Sequence, residues 1–422
     1  MANKRADDRD HQRAKARAAK GDAKAPAQGR KRRSFGIDEL WRVERLGTPS
    51  IAPDGSRAVA ALTRASMDDN AQATTLWLLS TDGEPPRPLT QAGAKDCQPR
   101  WSPRGDLIAF IGKREQQGSK DDEPQLYVIA PDGGEARRVA VVATGVEAFR
   151  WFPDGRRIAF VSWLWPDRKG AKAQAKAMKA WKERKHSGYA TSATQYRFWD
   201  HHLPEGRVPH LLVVDIGEDE PQVHDLFEGS GWQLEQAEPG ADSFDIAPDG
   251  TRIVFAHDPA TDKRLDNCAE LVELRLGAGK PGSTLRAEVI AHDPQWDLRA
   301  PRYSPDGARI ACLASHQGRK HTMPAQLAVW SRTGPPDGHG EDRGKGPGKG
   351  RGKPRGAAAG SWEVVSAEWD HIVEAPLQWE ADGQALLFSA EQQGRRPLWR
   401  FDLADRRAEL VVDGGWVQVF DK

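Results

Sequence analysis

The chain has 422 residues, 38% of them hydrophobic and 29% charged, with a mean hydropathy of −0.71, so it can bury a substantial core under a polar surface. Its 62 Lys+Arg against 61 Asp+Glu leave a net charge of +1, which excludes a surface built as a whole to hold nucleic acid. Cys97, Cys268 and Cys312 make no C-x-x-C pair, so neither a disulfide scaffold nor a cysteine zinc site is supported, and a reducing cytoplasm is the expected compartment. No stretch approaches the roughly 18 consecutive apolar residues of a membrane span, and the first 34 residues lack the apolar segment of a secretory leader.

Residues 1–34 are expected to be a disordered basic tail: positions 1–33 hold 12 Lys/Arg against 4 Asp with few apolar residues to offset ordering entropy. A solvated, solubilising role suits such a tail best, and only through it would the chain touch nucleic acid. From residue 35 to 422 the chain reads as one all-β domain. Six segments repeat an apolar strand, a Pro-Asp-Gly-like turn and a second apolar strand: IAPDGSRAVAAL (51–62), WSPRGDLIAFIG (101–112), WFPDGRRIAFVS (151–162), IAPDGTRIVFAH (246–257), YSPDGARIACLA (303–314) and WEADGQALLFSA (379–390). In these turns Pro fixes φ at the first corner, Asp can bond nearby backbone N–H groups, and Gly accepts the left-handed conformation that reverses the chain.

Each hairpin is followed by two further strand-like runs, the third strands being TTLWLLS (74–80), PQLYVIA (124–130), PHLLVVDI (209–216), AELVELRL (269–276), AQLAVWS (325–331) and RPLWRFDL (396–403). The turn glycines are spaced by 50, 50, 95, 57 and 76 residues, and the two longest intervals contain insertions. One, about 165–195, carries the Ala- and Lys-rich run DRKGAKAQAKAMKAWKERKH (167–186) and is expected to form a short solvated helix. The other, 333–360, is Gly-, Pro- and Lys-rich and is expected to be a disordered surface loop. Four antiparallel strands at a period of about 50 residues are the signature of a β-propeller blade. The fold expected is therefore a propeller of six complete four-stranded blades plus the first strand of a seventh, GGWVQVFDK (414–422), with one helical insertion. A chain stopping mid-blade suggests a truncated product or one part of a split protein, with a strand edge open to a protein partner; the competing account is an intact six-bladed ring with 416–421 laid against the first blade.

The position two before each turn proline, or its equivalent, is Ile51, Trp101, Trp151, Ile246, Tyr303 or Trp379. Recurrence at one blade position assigns these side chains to packing between sheets rather than to base stacking. The turn aspartates lie on separate blades, without the clustered oxygen ligands that calcium requires, and no other residue group points to a metal or cofactor.

These units resemble the propeller of the prolyl oligopeptidase family of serine peptidases, in particular its acylaminoacyl-peptidase and dipeptidyl-aminopeptidase-like branch. The residues that carry the resemblance are the entry segment IDELWRVERLGTPSIAPDG (37–55), the repeated turns, LYVIAPDGGEARRV (126–139) and YRFWDHHLPEGRVPHLLVVDI (196–216). In that family the propeller is a non-catalytic disc over an α/β-hydrolase domain, restricting entry to short peptides. No G-x-S-x-G nucleophile elbow occurs in this chain, so the family's catalytic triad has no positions to map onto. The resemblance thus implies a non-catalytic propeller that gates or binds short peptides for a hydrolase domain separate or missing from these residues. By the same resemblance Arg197, Trp199, Asp200 and His201 are the candidates to line the pore or touch substrate. The alternative is a stand-alone TolB-like propeller serving as a protein-interaction module.

Overall fold

The computed structural model describes residues 35–421, apart from 92–94, 117, 199–200, 204, 219, 260–263, 265, 278–283, 320–321 and 333–359. The expected disordered tail (1–34) and nearly all of the Gly/Lys-rich loop (333–360) lie outside the described residues. The chain divides after Val43 into two compact units. In the first, the short helix α1 (Ile37–Arg42) is capped by the Glu39 carboxylate, which accepts from the Gly36 N–H at 3.0 Å.

The second unit, Glu44–Lys422, is a six-bladed propeller of antiparallel sheets. Blade one sets a broken inner strand, Arg45–Leu46 and Ser50–Ile51, against Arg57–Ser66, followed outward by Ala71–Ser80 and Arg87–Pro88. Blade two runs outward through Cys97–Trp101, Ile108–Gly112, Gln125–Ile129 and Arg137–Ala140, and blade three through Ala148–Trp151, Arg157–Leu164, Val208–Asp215 and Val223–Asp225. Blade four comprises Phe244–Ile246, Arg252–His257, Glu270–Leu276 and Thr284–Ala291, and blade five Trp296–Tyr303, Arg309–His316, Gln326–Arg332 and Gly360–Val364. Blade six comprises Glu374–Trp379, Ala385–Ser389, Leu398–Asp402 and Arg407–Val412. All six third strands expected from the sequence are present.

The hairpins follow the turn chemistry. Gly55, Gly105, Gly155, Gly250, Gly307 and Gly383 hold φ between 62° and 73°, a region that a side chain would strain. The turn carboxylates cap them, as where Asp249 accepts from the Thr251 N–H at 2.8 Å and Asp154 from the Arg156 N–H at 2.8 Å. A further device ties blades one, three, four and five each to the next, the equivalent position being Leu107 in blade two and Ala385 in blade six. The arginine two residues after the turn glycine reaches forward, so that Arg157 donates to the Gly250 carbonyl at 3.1 Å and Arg309 to that of Gly383. In blades one, four and five the same guanidinium covers the next blade's aromatic ring, as Arg57 does over Trp101 at 5.6 Å and Arg309 over Trp379 at 5.0 Å, whereas Arg157 lies over Phe152 of its own blade.

Five apolar clusters fill the seams between consecutive blades from one to six. Phe152, Phe244 and Phe255 lie fully buried between blades three and four, and Phe388 and Phe401 between five and six. None of the five clusters joins blade six to blade one. Residues 414–421, expected to open a seventh unit, instead make a single parallel bridge from Trp416 to Arg396, with the Val417 N–H donating to the Arg396 carbonyl at 2.7 Å. Asp421 then spans the seam, accepting from the Ile51 N–H of blade one at 2.7 Å and from Gln378 Nε2 of blade six at 3.2 Å.

The insertion in blade three contains α2 (Ala171–Glu183), built of strong helix formers. It is not solvated all round. Gln174 and Met178, one turn apart on one face, are buried. The Gln174 amide accepts from the Trp165 N–H at 3.1 Å and donates to the Trp165 carbonyl at 2.8 Å, pinning the helix start to the end of the second strand. At its other end the Trp181 indole N–H donates to Glu205 at 2.8 Å, and Arg184 pairs with the same carboxylate.

Candidate functional site

The inner strands of the six blades surround a channel of about 670 Å³, within the range typical of ligand sites. The residue immediately before each large apolar inner-strand position lines it: Ser50, Arg100, Arg150, Asp245, Arg302 and Gln378. Side chains alternate along a strand, so the large residue turns into the seam while its neighbour is free to face the axis. In blades two, five and six the register shifts just ahead of Arg100, Arg302 and Gln378, and such bulges re-aim the side chains beside them. Gln98 and Ala300, both at φ 51°, mark two of these bulges, each followed by a proline that withholds a ladder donor.

Charges in the channel are interleaved. Arg150 lies 3.4 Å from Asp242 and 3.6 Å from Asp245, and Arg302 forms an ion pair with Asp242. Arg302 also donates to the Pro301 carbonyl at 2.6 Å, and Asp245 accepts from the Tyr303 N–H at 2.8 Å, so the pair network is anchored to the backbone of blade five's inner strand. Burial, reinforced by the repulsion of Arg302, pushes the Arg150 guanidinium down to about 10. Burial works to raise the Asp242 carboxyl, but Arg302, Arg150 and Arg100 together outweigh it and hold the group below the ordinary carboxylate range. Aromatic and proline side chains complete the wall, among them Trp101, Phe149, Trp151 and Pro153. Chemically the channel offers fixed cations and carboxylates beside apolar surface, which suits a short polar chain with apolar side groups.

Of the residues singled out from the sequence, Arg197 is exposed on a two-residue hairpin strand whose backbone pairs with His202, while Phe198 pairs with His201. Trp199 and Asp200 lie outside the described residues. Arg197 is not brought to the axial channel. Its segment borders two smaller cavities, one of about 150 Å³ between Tyr189, Tyr196 and Arg207 and one of about 390 Å³ beside Gln195, His257 and Asp258. The channel arginines were missed although a signal existed: Arg directly before the aromatic recurs in P-R-W (99–101), F-R-W (149–151) and P-R-Y (301–303). Among the described residues, no group of three or more His, Cys, Asp or Glu is placed to hold a metal ion, and no helix is long and apolar enough to cross a membrane.

No family model matches the chain. Three curated relatives do, among them dipeptidyl-peptidase 5 of Porphyromonas endodontalis, 26% identical over 278 residues, covering 64% of this chain and 36% of that protein. Dipeptidyl-peptidase 5 of Porphyromonas gingivalis is 22% identical over 376 residues, covering 88% of this chain and 48% of the relative. Among solved structures, Pyrococcus horikoshii acylaminoacyl peptidase superposes with a TM-score of 0.57 at 15% identity, over 91% of this chain and 48% of that one. The chain therefore spans about a third to a half of the length of these proteins. It is a β-propeller resembling the N-terminal propeller of acylaminoacyl peptidases and dipeptidyl peptidases of the prolyl oligopeptidase (S9) family, and it covers only the propeller portion of its relatives.

Proposed function

We propose that this chain is the non-catalytic, peptide-handling part of a serine peptidase, admitting or binding short peptides for an α/β-hydrolase domain not contained in these 422 residues. The observation that carries the reading is the 376-residue match to dipeptidyl-peptidase 5, which takes in 88% of this chain. The axial channel supports it, because its volume of about 670 Å³ is on the scale of a small ligand and its wall mixes charged side chains with apolar surface. The lack of a G-x-S-x-G motif supports the non-catalytic half of the reading. A cytoplasmic setting belongs to the same proposal and is supported by three unpaired cysteines.

The test is direct. The purified chain is assayed with aminoacyl and N-acyl-aminoacyl chromogenic amides, labelled with a fluorophosphonate probe, and titrated with short peptides while tryptophan fluorescence is followed. The expected result is no turnover, no label, and a saturable change in tryptophan emission, with Trp151 on the channel wall as the reporter. Probe-sensitive turnover would overturn the non-catalytic reading, and absence of any peptide binding would overturn the peptide-handling one.

A further inference from the structure

Three arginines face the axial channel, and two of them have carboxylate partners: Arg150 with Asp242 and Asp245, and Arg302 with Asp242. Arg100 has none. Among the described residues no carboxylate oxygen lies within 4.0 Å of it, and its side chain makes two long bonds from Nη1, to the Pro49 carbonyl at 3.3 Å and the Pro99 carbonyl at 3.5 Å. Nε and Nη2, the two donors of the guanidinium edge, donate to no protein group among the described residues. Asp421 is the acid whose field chiefly supports the Arg100 charge, but its two oxygens are occupied by the Ile51 N–H and Gln378 Nε2. The backbone beneath Arg100 is held in place by the Trp151 indole N–H, which donates to the Arg100 carbonyl at 3.2 Å. A half-buried cation with a free planar edge, on a fixed strand in a channel, is built to receive a planar anion.

We propose that Arg100 binds the carboxylate of a short peptide in the axial channel, pairing through the edge that carries Nε and Nη2. The proposal rests on the peptide-handling reading above and names the group that the channel recognises. A singly charged carboxylate fits better than a phosphate. Asp242, Asp245 and Asp421 line the same channel, and a dianion would meet all three at a cost that a monoanion halves. Trp151, part-exposed on the same wall beside Pro53 and Pro153, gives the peptide's side chains apolar contact.

The carboxylate can come from a chain terminus or from an acidic side chain, and the experiment separates them. Calorimetry on the full chain compares acetyl-Ala-Ala-Ala, its C-terminal amide, and acetyl-Ala-Asp-Ala amide, with the wild type and with Arg100→Gln. The free acid, the aspartyl peptide, or both should bind at least about tenfold more tightly than the neutral amide, the advantage expected of a charge-assisted pair. Which of the two gains identifies the source. Arg100→Gln should abolish the advantage while leaving the weak binding of the neutral amide. Equal binding of all three peptides to the wild type would overturn the assignment and leave the peptide-handling reading intact. An advantage that survives Arg100→Gln would place the anion elsewhere, and no binding of any peptide would overturn both readings. The acid-to-amide comparison needs no variant, so misfolding of Arg100→Gln cannot mask the result.

Discussion

Replacing Asp421 by Ala tests how the ring of blades is closed. Apolar clusters fill the seams between consecutive blades from one to six, and none joins six to one. At that seam Asp421 bonds the Ile51 N–H at 2.7 Å and Gln378 Nε2 at 3.2 Å. A hydrogen bond to a charged acceptor is worth about 1.5–3 kcal/mol when well buried. Here both bonds are part-buried, so about 1–2 kcal/mol is expected for the pair, with most of it in the shorter bond. Such a loss corresponds to a fall of roughly 1–3 °C in Tm for a domain of this size. Locally it should raise amide exchange in the peptide spanning Thr48–Ala60 by about 5- to 30-fold, while Phe244–Ala256, sealed by its apolar seams, stays protected. Asp421→Asn retains an acceptor for the Ile51 N–H without the charge and should recover part of the loss. Unchanged exchange and Tm in Asp421→Ala would refute the argument and mean that the seam is held without this residue.

Three other outcomes follow from the packing. Arg309→Met removes both the donor to the Gly383 carbonyl and the cation over Trp379, and should cost about 1–2 kcal/mol in urea unfolding. Burial lowers the His257 pKa, with the Gln233 carbonyl on Nδ1 only partly offsetting it. A base depressed in the folded state contributes stability above its unfolded value of about 6.5 and loses it as pH falls through the lower folded value. Wild-type Tm should therefore drop on acidification below about pH 6.5, and His257→Gln should flatten that slope. Burial pushes the Cys312 thiol up to about 12, so it should resist iodoacetamide at pH 8 in the native state and react promptly in denaturant.

The blade architecture was legible because it is written locally and six times over. Pro, Asp and Gly at fixed offsets dictate a hairpin whatever surrounds them, and the period-2 apolar runs beside them leave little choice of face. The channel was not legible in the same way. Its composition depends on which residues six distant segments bring to one axis, and the bulges at Gln98 and Ala300 that aim Arg100 and Arg302 have no propensity signature beyond the proline that follows. The helix of the insertion was visible in its Ala/Lys composition, yet its docking through Gln174 and Met178 was not. Only two positions of a mostly polar run turn inward, and a single Gln satisfying three backbone groups leaves no hydrophobic pattern. Arg197 attracted notice as part of a dense polar and aromatic cluster, but density in sequence does not place a residue on the axis.

Architecture and chemistry are divided between adjacent residues of the inner strand, and Arg100 with Trp101 allows that division to be measured. Trp101 is buried in the seam between blades one and two, where Val59, Leu76 and Ile108 surround it. Its indole N–H has no hydrogen-bond partner among the described residues, so it contributes through packing and through the Arg57 guanidinium over its ring. Trp101→Ala should cost about 3–5 kcal/mol, and Trp101→Phe, which keeps most of the contact area, distinctly less. Arg100 has no carboxylate partner and only two long bonds to carbonyls, so Arg100→Gln should change stability by less than about 1 kcal/mol while removing a positive charge from the channel. Urea unfolding of the three variants, read beside the peptide titrations, makes the comparison. If Arg100→Gln proved as destabilising as Trp101→Ala, the guanidinium would be part of the scaffold. The sequence Ser, Arg, Arg, Asp, Arg, Gln around the channel would then be a packing solution rather than a ligand-facing one. If the costs separate as expected, one strand position sets the stability of the ring and the position before it is free to set what the channel accepts.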